Sequence, residues 1–376
     1  MKKRREPFSS VFPTKINFRF FDYQLFTAII ILVITGLSFL YSSSSAIGIS
    51  RFNDTAYYFK KQLLWTMGSV GIMLFISFIE IEKLRRYIPA VVIFVIILLI
   101  LTLFMPKIQN TRRWIPLGFM NLQTSELAKI AFALFISDYI DRNFSRLKNI
   151  KYFLKPIFII GFMIFLIALQ PDLGTPALIF GSAIIILFSY GANLIHILIP
   201  FIIGVIGAAI EIIRHPYRIG RIKTFLSPWD DPTGKSFQLV QSLVAIGSGW
   251  WLGKGPGNSI MKLNYLPESH TDFIFPIIAE EIGFIGVAGI VFAFVFIFMK
   301  GYKISKNSSS SFLSILSYSS VLIITAQALF NIAMTAGLVP TKGLPLPFFS
   351  YGGSSIITNM ILSGFILNAS LRRKRI

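Results

Sequence analysis

Ten apolar runs constrain this chain more than any other feature. They cover residues 25–40, 62–79, 88–105, 126–140, 156–169, 176–190, 194–213, 273–299, 312–338 and 354–369. Apolar all round rather than along one stripe, they suit helices that satisfy their own backbone polar groups inside hydrocarbon. Several are short, so tilted or half-membrane segments are expected among them. With 54% hydrophobic and only 14% charged residues, the chain carries more apolar surface than one soluble core hides. The sequence therefore predicts an all-α, polytopic membrane protein with about ten transmembrane helices. The first run, followed by Tyr41 and four serines, imitates a signal peptide. Its length, its extended basic leader and the spans that follow make it a retained first helix.

The formal charge of +20 raises the question of a nucleic-acid partner, and the position of the charge answers it. With the N-terminus inside, the cytoplasmic segments hold twenty-one lysines and arginines and the short outer loops seven. That is a topology signal, with attraction to anionic lipid, rather than a nucleic-acid surface. Both termini are expected in the cytoplasm. Residues 1–20 read as a cytoplasmic tail, with a surface-lying segment from Phe18 to Phe21. Residues 21–371 form the membrane domain and 372–376 a basic cytoplasmic tail. A large extracytoplasmic loop, 214–271, falls between helices 7 and 8 and is too long to be a mere connection.

Inside that loop, Gln238, Gln241, Ser242 and Ala245 share one helical face opposite Leu239, Leu243 and Ile246, as an interfacial or re-entrant helix requires. Trp250 and Trp251 then supply an interface anchor. The stretch DPTGKS imitates a phosphate-binding loop, but Trp229 stands where that motif needs its first glycine. The absence of cysteine excludes disulfides, thiolate nucleophiles and cysteine-ligated metals. With only three histidines, a histidine-rich metal site is not expected.

The chemistry points to KLNYLPESHTDFIFPIIAEEIG, residues 262–283, where Asp272 stands at the border between polar loop and apolar helix. A carboxylate there is costly to desolvate. It is read either as a helix-start cap or as a functional group. On a continuous helix Glu280 would lie about 12 Å deeper and Glu281 on the opposite side, so neither pairs with Asp272. His270 is close enough to tune it, although a histidine in a polar loop is ordinarily solvated. Arg112 and Arg113 match phosphate oxygens, or form a plain solvated pair. Glu126 and Lys129, three apart at the start of an apolar helix, read as a mutually neutralising structural pair. Asp172, in QPDLGT, could orient those arginines, hold a divalent cation or cap the next helix. Residues 340–355, PTKGLPLPFFSYGGSS, impose rigid non-helical backbone at membrane depth, as cavity walls do, and Lys342 adds a positive group there.

QTSELAK, QPDLGT, FQLVQSLVAIGSG, LPESHTDFIFPIIAEEIG and PTKGLPLPFFSYGGSS, in this order, resemble the SEDS family of shape, elongation, division and sporulation proteins. The resemblance extends from about Phe21 to the end and is nearer the division branch than the elongation branch. Asn110-Thr111 and Thr124 depart from the usual Gly-Ala and proline, leaving the charged residues in place. The resemblance implies a fold similar to GT-C-type transferases and a peptidoglycan glycosyltransferase that polymerises lipid II. It implies undecaprenyl diphosphate as leaving group and a class B penicillin-binding protein and other division proteins as partners. The family's essential aspartate falls on Asp272, the expected general base. Arg112, Arg113, Lys129, Asp172, Gln238, Gln241, His270, Lys342, Ser350 and Ser354 are the expected substrate-binding residues, and Glu126 a structural one. A divalent cation, Mg or Mn, is a further expectation. A lipid II flippase and a noncatalytic scaffold are the competing classes.

Overall fold

The computed structural model describes residues 20–108, 111–118, 120–214, 216–263 and 265–373. Most of the expected N-terminal tail, Asn110 and the last three residues of the basic C-terminus lie outside the described residues. Each of the ten apolar runs coincides with a helix. The first half of the chain holds α1 (Tyr23–Phe52), α2 (Tyr57–Phe78), the short α3 (Ile81–Leu84) running into α4 (Ile88–Thr102), α5 (Thr124–Asn143), α6 (Ile150–Ala168) and α7 (Gly174–Ser189). The second holds α8 (Leu194–Arg214), α9 (Pro216–Leu226), α10 (Phe237–Ser248), α11 (Ile274–Lys306), α12 (Ser311–Thr335) and α13 (Gly353–Leu371). Seven spans are long and apolar enough to cross a membrane: α1, α2, α3–α4, α6, α11, α12 and α13. Helices α7 and α8 are apolar but shorter in their apolar part, and α5 carries too many charges.

Among the described residues the departure from an all-helical chain is one antiparallel hairpin, β1 (Trp114–Pro116) against β2 (Asn121–Gln123). It turns through Gly118 at φ 82°, a conformation open to glycine. Phe21, at the foot of α1, is buried against Phe26 and Phe78, apolar neighbours that suit an aromatic ring; the rest of the expected surface-lying segment before Phe20 lies outside the described residues.

Helices α12 and α13 form the centre, with 83% of each apolar window buried in protein against 22% for α11. A helix buried among helices can carry polar groups if each finds a partner. Ser320 and Thr325 of α12 donate to carbonyls one turn back, at 2.7 and 2.8 Å. Ser137 of α5 meets Ser319 at 3.1 Å. Helix α5 joins this centre because its charges are neutralised. Asp138 pairs with Arg85 and Arg142, and Asp141 with Arg85, all at 2.7 Å.

The two ends of the described chain meet. Asp22 pairs with Arg373 at 2.7 Å and its N–H donates to Ser370 at 3.3 Å.

Helix α11 is broken. Gly283 has φ 66° and ψ −170°, so the N–H groups of Phe284 and Ile285 cannot reach the carbonyls of Glu280 and Glu281. The turn after α10 takes all four. Phe284 and Ile285 donate to the carbonyls of Trp250 and Trp251 at 2.8 and 3.2 Å, while Lys254 and Gly255 donate to those of Glu280 and Glu281 at 2.9 and 3.0 Å. Side chains at Gly253 and Gly283 would stand 2.2–2.3 Å from opposing backbone, so glycine is what lets the chains touch. Glu280 then receives Lys254 at 2.6 Å and the Met261 N–H at 3.3 Å, and Glu281 receives Lys262 at 3.2 Å. Thus α10 and its turn lie against α11 about a third of the way along it. The division of faces on α10 differs from the spacing argument: Leu239, Ser242 and Ala245 are all buried. Ser242 is drawn inward by the Thr335 carbonyl, 2.6 Å away.

Candidate active site

One end of the bundle gathers the starts of α5, α7, α11 and α13, the end of α12 and the hairpin. Asp272 sits there, one residue before the N-cap of α11. The cap position is Phe273 and no side chain caps the helix, so the reading of Asp272 as a helix cap falls. Its main chain is held instead. Three successive carbonyls are each bonded to the far end of the sequence: His270 by the Tyr351 N–H at 2.9 Å, Thr271 by the Ser350 hydroxyl at 2.7 Å, and Asp272 by the Asn331 side-chain amide at 2.8 Å. Such bonding on both flanks fixes where the carboxylate can go.

Asp272 is half-buried as a residue, and protein encloses its carboxyl group, so it stands in a recess of this end of the bundle. Among the described residues it forms no ion pair. A Cβ at Gly343 would stand 2.9 Å from Asp272 Oδ2 and 3.5 Å from Arg113 Nη1, which puts carboxylate, guanidinium and the 342–345 turn in one small space. Burial is the main cause that pushes the Asp272 carboxyl up to about 7, with Glu268 and Asp172 adding to it and Arg113 and Arg221 opposing. A carboxyl so placed changes charge near neutrality.

The other expected residues divide into those that face this recess and those that build it. Arg113 is anchored on the carbonyls of Gln170 and Pro171 at 3.2 and 2.5 Å, with an Nη1 left toward Asp272. Arg112 is exposed and turned away, donating to Leu103 at 3.0 Å. Asp172 is buried and accepts from Gly174 and Thr175 N–H at 3.0 and 3.3 Å and from the Thr175 hydroxyl at 2.9 Å. It therefore secures the start of α7, and Arg113 bonds the neighbouring carbonyls instead of its carboxylate. Lys342 lies in the turn beside Gly343, partly exposed.

Ser350, besides holding Thr271, accepts the Leu346 N–H at 2.7 Å. Ser354 accepts from the Gln123 N–H at 3.0 Å and donates to the Asn121 carbonyl at 3.3 Å, tying α13 to the hairpin. Both hydroxyls serve backbone. Gln238 donates to the Pro267 carbonyl at 3.3 Å, and Gln241, one turn on, is half-exposed. His270 is not the solvated histidine expected. It is buried between the rings of Tyr58 and Tyr351, with centroids at 4.8 and 6.0 Å. Burial, helped by Arg51 and opposed by Glu268, holds its pKa below the ordinary value.

Lys129, expected among the substrate-binding groups, is fully buried. It donates to Glu126 Oε1 at 2.8 Å and to Gln327 Oε1 at 2.6 Å, with Glu126 Oε2 2.7 Å away. That geometry is the neutralised structural pair, since a lysine so enclosed has nothing left to offer a ligand. Three residues were not singled out from the sequence. Arg221 of α9 donates to the Thr341 carbonyl at 2.7 Å, and only its place in a basic stretch of the long loop hinted at it. Gly343 was read only as part of the irregular 340–355 stretch, and Asn331 carried no local signal. Among the described residues no group of three or more His, Asp or Glu has the placement of a metal site.

Fold and site together define a multi-pass helical membrane protein with a polar recess at one end of its bundle. The family model of FtsW, RodA and SpoVE, described as cell cycle protein, matches residues 23–375, and the chain belongs to this family. A probable peptidoglycan glycosyltransferase FtsW of Wigglesworthia glossinidia brevipalpis is 40% identical over 344 residues, 90% of each chain. One of Aliivibrio salmonicida is 37% identical over 90% of this chain and 86% of its own. Two solved structures share the fold. A chain from a peptidoglycan synthase complex, reported for its coordination of polymerization and crosslinking, gives a TM-score of 0.75 at 23% identity, covering 93% of this chain and 97% of that one. The rod shape determining protein RodA of Thermus thermophilus gives 0.67 at 22% identity, covering 94% and 98%.

Proposed function

We propose that the protein is a peptidoglycan glycosyltransferase that polymerises lipid II at the outer face of the cytoplasmic membrane during septal wall synthesis. On this reading ten helices cross, both termini are cytoplasmic and the 214–271 loop is extracytoplasmic. A class B penicillin-binding transpeptidase and other division proteins work beside it. The observation that carries the proposal is the Asp272 carboxylate, free of an ion pair among the described residues and held near neutrality in a recess that also receives Arg113.

A sugar hydroxyl ionises far above neutral pH, so its attack on an anomeric carbon benefits from a base placed beside it. In this mechanism Asp272 takes the proton of the acceptor hydroxyl as its oxygen bonds to the donor's anomeric carbon. The bond from that carbon to the diphosphate oxygen breaks, the configuration inverts, and undecaprenyl diphosphate leaves. Negative charge grows on the departing diphosphate, where fixed cations act most strongly. Arg113, Arg221 and Lys342 are the groups assigned to it. Among the described residues no group of three or more His, Asp or Glu has the placement of a metal site, and Asp172 already gives both oxygens to the start of α7.

The test is glycan polymerisation from purified lipid II by the solubilised protein with its class B partner. Asp272→Asn, folded as judged by its melting curve, is expected to lose about a hundredfold or more. Polymerisation by that variant at the parent rate would remove Asp272 from the chemistry. Movement of lipid II across vesicles without polymer would replace the transferase by a flippase.

A further inference from the structure

A buried asparagine in a membrane helix asks for a reason, because its amide is costly to enclose unless fully bonded. Asn331 of α12 is completely buried. Its Nδ2 donates to the Asp272 carbonyl at 2.8 Å and to the Leu344 carbonyl at 2.7 Å. Its Oδ1 has no partner among the described residues. The side chain therefore does not serve its own helix, where the Asn331 carbonyl is already taken by Thr335 at 3.0 Å. It spends both N–H groups on two chain segments that meet beside the Asp272 carboxyl. One is the start of α11, the other the turn that carries Lys342 and Gly343.

We propose that Asn331 is a positioning residue, whose amide fixes the separation between the Asp272 carboxylate and the 342–344 turn. The inference rests on the reading of Asp272 as the base. Geometry gives it substance, since Gly343 approaches Asp272 Oδ2 too closely for a Cβ to fit without movement. The carboxylate and the turn thus lie close together, and Asn331 is the side chain bonded to the main chain of both segments, at the Asp272 and Leu344 carbonyls. Ser350 and Tyr351 hold the two preceding carbonyls but leave Asp272 itself to Asn331. Gln327, one turn earlier on the same face, donates to Pro345 at 2.8 Å, so the turn keeps a hold on α12 when Asn331 is replaced.

The experiment compares Asn331→Leu with Asn359→Leu. Asn359 is an equally buried asparagine that bonds only within α13, to the Ser355 carbonyl and hydroxyl. For Asn331→Leu, kcat per folded molecule is expected to fall about tenfold or more, with KM for lipid II within about threefold. The acid limb of its pH–rate profile is expected to move to lower pH, because a loosened Asp272 gains water. Amide hydrogen exchange over residues 266–276 is expected to rise. Asn359→Leu is expected to change none of these. Parent kcat and an unmoved pH profile in Asn331→Leu, or equal changes in both variants, would overturn the proposal and leave Asn331 as packing. If Asp272→Asn polymerises normally, the reading of the base fails instead. The exchange difference then still decides whether Asn331 holds the segment.

Discussion

Two carboxylates stand at the starts of helices in this protein, and their surroundings are opposites. Glu126 on α5 is sealed in the bundle, with Lys129 against both of its oxygens. Asp272 before α11 is only half-buried as a residue, and no cation closes on its carboxyl among the described residues. A buried charge whose partner is built in has had its chemistry consumed by structure. One that is surrounded, held by its backbone and left open keeps its chemistry for a ligand. Burial by itself therefore does not separate a structural from a functional charge; what occupies the second side of the carboxylate does.

The comparison breaks most readily at Lys129. Lys129→Met leaves Glu126 buried without its cation and is expected to destabilise the fold by about 3–5 kcal/mol. Adding Glu126→Gln should recover much of the loss, as thermal melts in one detergent would show. Recovery of nothing would mean that the pair has a role beyond mutual neutralisation.

Asp272 should answer to pH near neutrality. As a base it must be ionised, so the polymerisation rate is expected to be full above its pKa of about 7 and to fall about tenfold per unit below it. Replacing Arg113, which holds that value down, by glutamine should move the midpoint upward. Stability carries the opposite sign. A carboxyl raised from 3.8 to about 7 favours the fold while protonated, and that contribution is lost as pH rises through about 7. Asp272→Asn should consequently raise the melting temperature most at pH 8, less at pH 5, and not at all below the unfolded value of 3.8. An unchanged melt at pH 8 would mean that the recess solvates the charge freely.

Gly343→Ala sharpens the contrast at smaller cost. Its Cβ would press on Asp272 Oδ2 at 2.9 Å, and a displaced base is expected to lower the rate about tenfold, without the loss of stability seen at Lys129. The smallest effect is expected at Arg112. Turned onto Leu103 and exposed, Arg112→Ala should keep the rate within about twofold, whereas Arg113→Ala should not. Equal losses in the two arginine variants would mean that the substrate draws Arg112 into the recess.

Much of the architecture was legible in the chain. Ten apolar runs became ten helices because hydrophobic length acts locally, through each helix's own backbone bonds. The prolines and glycines of 340–355 announced irregular backbone, and Asp172 bonds the first N–H groups of the helix that follows it. Asp272 was marked by its place between loop and apolar run, and by the family resemblance. Its reading as a cap failed because capping needs a backbone angle and a reach that sequence spacing does not report. The hairpin at 114–123 escaped because three-residue strands leave almost no periodic pattern.

Identity and spacing along the chain thus determined a polytopic helical membrane protein and the short list of charges able to act. Tertiary structure alone decided which of them meet. Arg112 and Arg113 are neighbours in sequence, yet only Arg113 turns toward Asp272, because the carbonyls that aim it lie at Gln170 and Pro171. Asn331 reads as one polar residue in an apolar run until Asp272 and Leu344 are brought to its two N–H groups. The break in α11 is tolerable only because residues 250–255 return to bond it. Helix formation is a short-range property that a sequence pattern records. A hydrogen bond across fifty or more residues exists only once the whole bundle has packed.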